Sequence, residues 1–168
     1  MKSELGRDAG DREAGVALEL LRIERDGTVA CADVDLPAPA RDACALMAQL
    51  YATRGFAPPW TGYVARYESK VVGTTAFKGP PQNDRVEIAY FTFPGHEGRG
   101  IATAMASELI RIARSAAPDV VITAQTLPEE NASTRILHKL GFAYAGLTCD
   151  EDVGQVWEWH LHPGFRLR

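Results

Sequence analysis

The chain has 168 residues, 46% hydrophobic and 24% charged, with a formal net charge of −4. That length suits one compact domain with an adequate core, and the mild acidity argues against a nucleic-acid coat or a binder of anionic membranes. No apolar run approaches the roughly 20 residues of a membrane span, and the polar opening, Met1 to Gly15, lacks the apolar core of a signal peptide.

Residues 1–15 hold four Asp/Glu and three Gly, with little to bury, and read as a disordered lead to a single domain over 16–168. Val16–Glu24 and Thr28–Leu36 are strand-like, and Asp26-Gly27 between them predicts a hairpin. Pro37 and Pro39 end it. Ala40 to Thr53 has helical spacing, with Ala43, Leu46, Met47, Leu50 and Tyr51 on the expected buried face. Gly55 and Pro58-Pro59 break that helix. Trp60–Tyr67 and Val71–Phe77 form a second hairpin across Glu68-Ser69-Lys70, and Gly79-Pro80-Pro81 with Asn83-Asp84 marks the next turn.

Val86–Phe93 is the strongest strand pattern. Val86, Ile88, Tyr90 and Thr92 face one way, and Glu87, Ala89, Phe91 and Phe93 the other. With both faces largely apolar, the strand is expected at the centre of the sheet. A helix over 101–116 follows, with Ile101, Met105, Leu109 and Ile112 spaced for burial, and Pro118-Asp119 ends it. Val120–Thr126 is a short strand. Pro128 to Asn131 opens a helix reaching Leu140, with Gly141 placed to cap it. Phe142–Leu147 and Val153–Leu161 are the last strands. Strands and helices alternate only between about 86 and 142, flanked by hairpins, so the chain is α+β (α/β): a mixed sheet with helices packed on it.

The chemistry concentrates at His96-Glu97-Gly98-Arg99-Gly100-Ile101-Ala102-Thr103. A small-residue turn opening into a helix lets backbone N–H groups and the positive helix end face an anion such as a pyrophosphate. The turn lacks the Gly-Lys-Ser/Thr of a phosphate-binding P-loop and the three-glycine spacing of a dinucleotide fold. By itself it also fits a plain tight connection between strand and helix, or a nucleotide-phosphate site.

A second motif follows: Asn131-Ala132-Ser133-Thr134-Arg135-Ile136-Leu137-His138-Lys139-Leu140-Gly141-Phe142. Together the two resemble the Gcn5-related N-acetyltransferase superfamily (GNAT), and within it the ribosomal-protein alanine acetyltransferase branch. Gly100 and Ala102 fill the small-residue positions of the family's acetyl-CoA signature. The Leu-x-Lys-Leu-Gly-Phe ending and the Asn-Ala-Ser opening match its later helix. The resemblance covers roughly residues 60–161, and residues 1–59 match no recognised pattern. It implies a mostly antiparallel central sheet in a three-layer α/β/α arrangement. The implied enzyme transfers acetyl from acetyl-CoA to the primary amine of a small molecule or a protein N-terminus, in a ternary complex. It further implies that backbone at Phe91, Thr92 and Phe93 holds the pantetheine arm, and that amides of Gly98, Arg99, Gly100, Ile101, Ala102 and Thr103 cradle the pyrophosphate.

Three departures stand out. Glu97 occupies a Gln/Arg position, which puts a carboxylate near the expected pyrophosphate unless its side chain turns away. Leu137 falls where many members carry a tyrosine that protonates the departing thiolate. Residues 1–59, the half that largely sets substrate selectivity in the family, are unplaced. The first two leave open a non-catalytic acyl-CoA-binding or regulatory module with the same fold.

Glu87 is the expected proton acceptor, because a carboxylate among Ala89, Phe91 and Phe93 is costly unless it is paired or faces a wet cleft. The alternative is a structural ion pair, for example to Arg85 or Arg66. Asn131 and Ser133 either cap the later helix or touch the cofactor, and Ser133 is the second catalytic candidate, a route for the leaving thiolate. Tyr90 is a weaker acid candidate, on the face opposite Glu87. His160 and His162 share a strand face without a third ligand, so no metal site is expected; an exposed edge pair is the simpler reading. Trp157 and Trp159 read as core, and Phe56 and Trp60 either pin their loop or line the acceptor slot. Cys31, Cys44 and Cys149 are scattered and odd in number, which points to a reducing cytoplasm. The expected partners are an amine substrate and, for assembly, none or a second copy as a homodimer; neither nucleic acid nor membrane is expected.

Overall fold

The computed structural model describes residues 17–164, so the lead over 1–15 lies outside the described residues. Chain order is β1 (Leu18–Arg22), α1 (Ala38–Arg54), β2 (Gly62–Tyr67), β3 (Lys70–Phe77), β4 (Arg85–Thr92), α2 (Ile101–Ala116), β5 (Val121–Thr126), α3 (Ala132–Lys139), β6 (Ala143–Asp150) and β7 (Gly154–Leu161). The strands make one sheet in the order β1-β2-β3-β4-β5-β7-β6. β4 and β5 pair in parallel, joined through α2, and the other neighbours are antiparallel.

Two cores form on opposite faces of this sheet. On one, α2 and α3 bury Leu109, Ile110, Ala113 and Leu137 against Val86, Ile88, Ile122, Ala124 and Trp159. Each large apolar side chain removed from water there contributes about 1.5–3 kcal/mol. On the other, α1 packs Ala40, Cys44 and Tyr51 against Leu21, Ile23, Val64 and Val71. The result is the expected α/β/α sandwich with β4 at its centre.

Local signals explain most boundaries. Pro37 caps α1, and a proline in its first turn needs no N–H partner there. Glu68 and Ser69 take left-handed backbone, as a two-residue β2–β3 hairpin requires. α2 runs over 101–116, as its apolar spacing predicts.

Four expectations need correction. The Asp26-Gly27 turn forms, but its second arm shrinks to one bridge, Ile23↔Val29. Val29, Cys31, Val34 and Leu36 pack instead beside α1, so their apolar spacing serves that core rather than a ladder. The buried stripe of α1 is Ala40, Cys44 and Tyr51, whereas Leu46 is 55% exposed. On β4, Ala89 and Phe91 face outward although the strand is central. Finally, β7 lies between β5 and β6, so His160 is not on an edge, and His162 falls past the strand's end at Leu161.

Candidate functional site

The parallel ladder between β4 and β5 runs only from Arg85↔Val121 to Ile88↔Ala124. Past that point β4 stays with β3 as far as Thr92↔Gly73. β5 stays with β7, pairing Gln125↔Glu158 and Thr126↔Trp157. The two central strands therefore part, leaving a gap beside residues 89–92 of β4.

Alternation along β4 decides which backbone groups face the gap. Lys78 N–H donates to the Glu87 carbonyl, and Phe93 N–H to the Val72 carbonyl. Odd-numbered residues of this segment thus bond to β3, and the peptide groups of Tyr90 and Thr92 turn toward β5, which has gone. Of the three expected pantetheine contacts, Thr92 alone offers its amide to the gap. Phe93 also accepts from His96 N–H, so both its backbone groups are engaged, and Phe91 contributes an exposed ring.

The strand then leads into the glycine turn. Gly98 (φ 73°) and Gly100 (φ 75°) adopt left-handed backbone that other residues rarely take, and a Cβ on Gly98 would meet open space. Gly100 begins α2 with no side chain capping it. Among the described residues, no amide from Gly98 to Thr103 donates to a side chain or a loop carbonyl; the first helical bond runs from Ala104 N–H to Gly100. A row of free amides at a positive helix end can hold a diphosphate. Glu97 does not compete: its carboxylate folds back to accept from Gly95 N–H at 2.7 Å. Hydrogen bonds from its own and the Gly95 amide hold its pKa below the usual carboxylate range. The Arg99 side chain is exposed.

On the α2/α3 side of the gap stand Tyr90 and Ser133. Burial pushes the Tyr90 phenol up to about 12, and the neighbouring Ser133 hydroxyl offsets this in part. Capping falls to Asn131, whose Oδ1 accepts from Thr134 N–H at 3.1 Å while Thr134 Oγ1 accepts from Asn131 N–H. Ser133 is thereby left to face Tyr90. Leu137 is fully buried, so no acid acts from that position.

The opposite side of the gap carries Glu87. Its Oε1 lies 2.5 Å from Lys78 Nζ, and Asp150 reaches the same ammonium at 3.8 Å. The partner is thus Lys78, since Arg66 pairs with Glu19 and Arg85 approaches Glu158. Glu87, Thr123 and His160 sit side by side across β4, β5 and β7, and His160 Nε2 meets Glu158 Oε1 at 2.5 Å. Among the described residues no group of three metal-ligating side chains is gathered. About 7 Å along β4 from Glu87, an open pocket of about 200 Å³ lies between α1 and the sheet, lined by Ala43, Leu46, Met47, Ala76, Ala89 and Phe91 among others. Phe56 and Trp60 stay out of it, packing edge-on against Tyr51 and Phe77.

Lys78 and the pocket face of α1 are the parts that sequence reasoning missed. The available signal was a surplus of apolar residues: Leu46 and Phe91 have the right spacing for burial and nothing to bury them.

The family described as acetyltransferase (GNAT) domain matches residues 16–143, so the likeness reaches into the segment before residue 60. No curated protein matches the chain. Among solved structures, RimL, the ribosomal L7/L12 alpha-N-protein acetyltransferase in complex with coenzyme A, is 17% identical with a TM-score of 0.60, covering 74% of this chain and 72% of that one. The yncA protein from Salmonella typhimurium, solved with its cofactor acetyl-CoA, is 19% identical with a TM-score of 0.59, covering 87% and 94%. Ribosomal-protein-S5-alanine acetyltransferase from Vibrio fischeri is 14% identical with a TM-score of 0.58, covering 79% and 78%. At these identities the structures share the fold. No helix among the described residues is long and apolar enough to cross a membrane.

Proposed function

Because the chain belongs to the GNAT acetyltransferase family, we propose that it moves the acetyl group of acetyl-CoA to a primary amine by direct attack within a ternary complex. One observation carries this reading: the strand gap beside Tyr90 and Thr92 runs straight into the free amides of 98–103. A diphosphate with an extended amide-bearing arm fits that combination, with the arm taking the strand position that β5 leaves.

Acetyl-CoA supplies the activated thioester. The Thr92 amide donates to its carbonyl oxygen, which gains charge as the amine attacks; one such donor contributes about 10²–10³ in kcat. Amides of Gly98 to Thr103 hold the pyrophosphate. Amine acceptors are largely protonated at neutral pH (about 10.4 for lysine, about 7.7–8.0 for an α-amine) and need a base. Glu87, on the pocket side of the gap, takes that proton directly or through water. Tyr90 and Ser133, on the other side, are hydroxyl donors for the departing thiolate. The gap thus separates a cofactor face from an acceptor face, which suits direct transfer without an acyl-enzyme.

The test is an initial-rate study with acetyl-CoA and a panel of primary amines, following thiol release and the acetylated product. Intersecting double-reciprocal lines and one thiol per acetylated amine are expected. Parallel lines would indicate an acyl-enzyme, and coenzyme A binding without turnover of any amine would indicate a binding module.

A further inference from the structure

We propose that the acceptor carries a compact, uncharged apolar group beside its amine, seated between α1 and β4. This rests on the acetyltransferase reading and narrows it. None of the described residues lining the pocket is charged. Of its four hydroxyl-bearing residues, two are engaged already, the Tyr63 hydroxyl donating to the Pro59 carbonyl at 2.6 Å and the Thr75 hydroxyl to the Ala89 carbonyl at 2.8 Å, which leaves Thr74 and Tyr90. A charged group entering there would lose its water without gaining an oppositely charged partner. Leu46 and Phe91, at 55% and 57% exposure, offer apolar surface that such a group would cover.

The charges nearby point the same way. Around Glu87 the described residues gather three carboxylates, Glu87, Asp150 and Glu158, against two permanent cations, Lys78 and Arg85, both already paired with them, while His160 meets Glu158. An acceptor ammonium therefore meets a surplus of carboxylate, whereas an acceptor carboxylate finds no free cation among the described residues of this cluster. Free amino acids and polycationic amines fit poorly. A simple apolar amine and a peptide N-terminus with an apolar first residue present the same chemistry.

The test compares kcat/KM for phenethylamine, a leucine-initiated peptide, free leucine and putrescine, using the wild-type chain and Leu46→Glu. Leu46 is exposed, so this variant is expected to fold. Phenethylamine or the peptide should exceed leucine and putrescine by at least about ten-fold, and whichever leads identifies the source. Leu46→Glu should lower the leading value at least about ten-fold while leaving coenzyme A affinity unchanged. A preference for putrescine or free leucine, or no effect of Leu46→Glu, overturns this inference and leaves the acetyltransferase reading standing. Failure to acetylate any amine, with coenzyme A still bound, overturns both.

Discussion

Gly73 shows how little room the site leaves at the scale of single residues. A Cβ there would lie 2.6 Å from the Phe91 carbonyl oxygen, a backbone atom that cannot swing aside. Gly73→Ala therefore forces β3 from β4 where the other edge of β4 is already unpaired. We expect a loss of about 1–3 kcal/mol in chemical denaturation, together with weaker coenzyme A binding. Glu87 makes a different prediction. Glu87→Gln keeps the shape but removes the proposed proton acceptor, so kcat/KM should drop about 100-fold at neutral pH. The deficit should narrow as pH rises and the amine deprotonates unaided, with coenzyme A affinity preserved. A rate–pH profile matching the wild type would remove Glu87 from the mechanism. That Glu87 carries a partner could be expected from the cost of burying a carboxylate, but not that the partner is Lys78, which the turn at 79–84 brings alongside.

Among the elements, α2 carries the sharpest prediction, because its uncapped start serves stability and binding in opposite ways. Ala102→Asp puts a carboxylate in the first turn, where the helix dipole favours it by about 0.3–1 kcal/mol. The same carboxylate occupies the proposed anion site. Thermal stability should hold or rise while coenzyme A affinity falls at least about ten-fold; parallel changes in both would contradict the assignment. The extent of α2 and the glycine turn before it were legible because both signals are local: apolar spacing at helical period, and glycines where the backbone turns left-handed. The faces of α1 and β4 were not. Ala43, Leu46, Ala89 and Phe91 have core composition, and nothing in their spacing distinguishes a face covered by another element from one open to an acceptor. Of the exposed large apolar residues, Leu46 and Phe91 are the two that line the pocket.

Across the whole molecule, the proposed function depends on two faces meeting at a break in the sheet. That break follows from long-range pairing: β5 leaves β4 because β7, more than 30 residues further on, takes its end residues. The motifs pointed to the anion site, but neither motif encodes where the ladder stops. The same packing sets an alkaline limit on stability. Burial raises the pKa of Tyr51, Tyr63 and Tyr90, the last to about 12. Below about pH 10 these phenols are neutral in both folded and unfolded chains. Above it the unfolded chain ionises first, so stability is lost as pH climbs toward 12. Tyr90 accounts for up to about 2 kcal/mol of that loss, and Tyr90→Phe should flatten the fall in Tm between pH 10 and 12. An equally steep fall in the variant would place the effect elsewhere.

The central claim is that the free main-chain groups of the gap and of the 98–103 turn are what acetyl-CoA binds. Amide resonances followed during coenzyme A titration test it directly. The account predicts that Thr92 and Gly98 through Thr103 shift most and gain protection from hydrogen exchange, with the α1 pocket little changed. Saturable binding whose shifts map away from these amides, or no binding at millimolar coenzyme A, would contradict it.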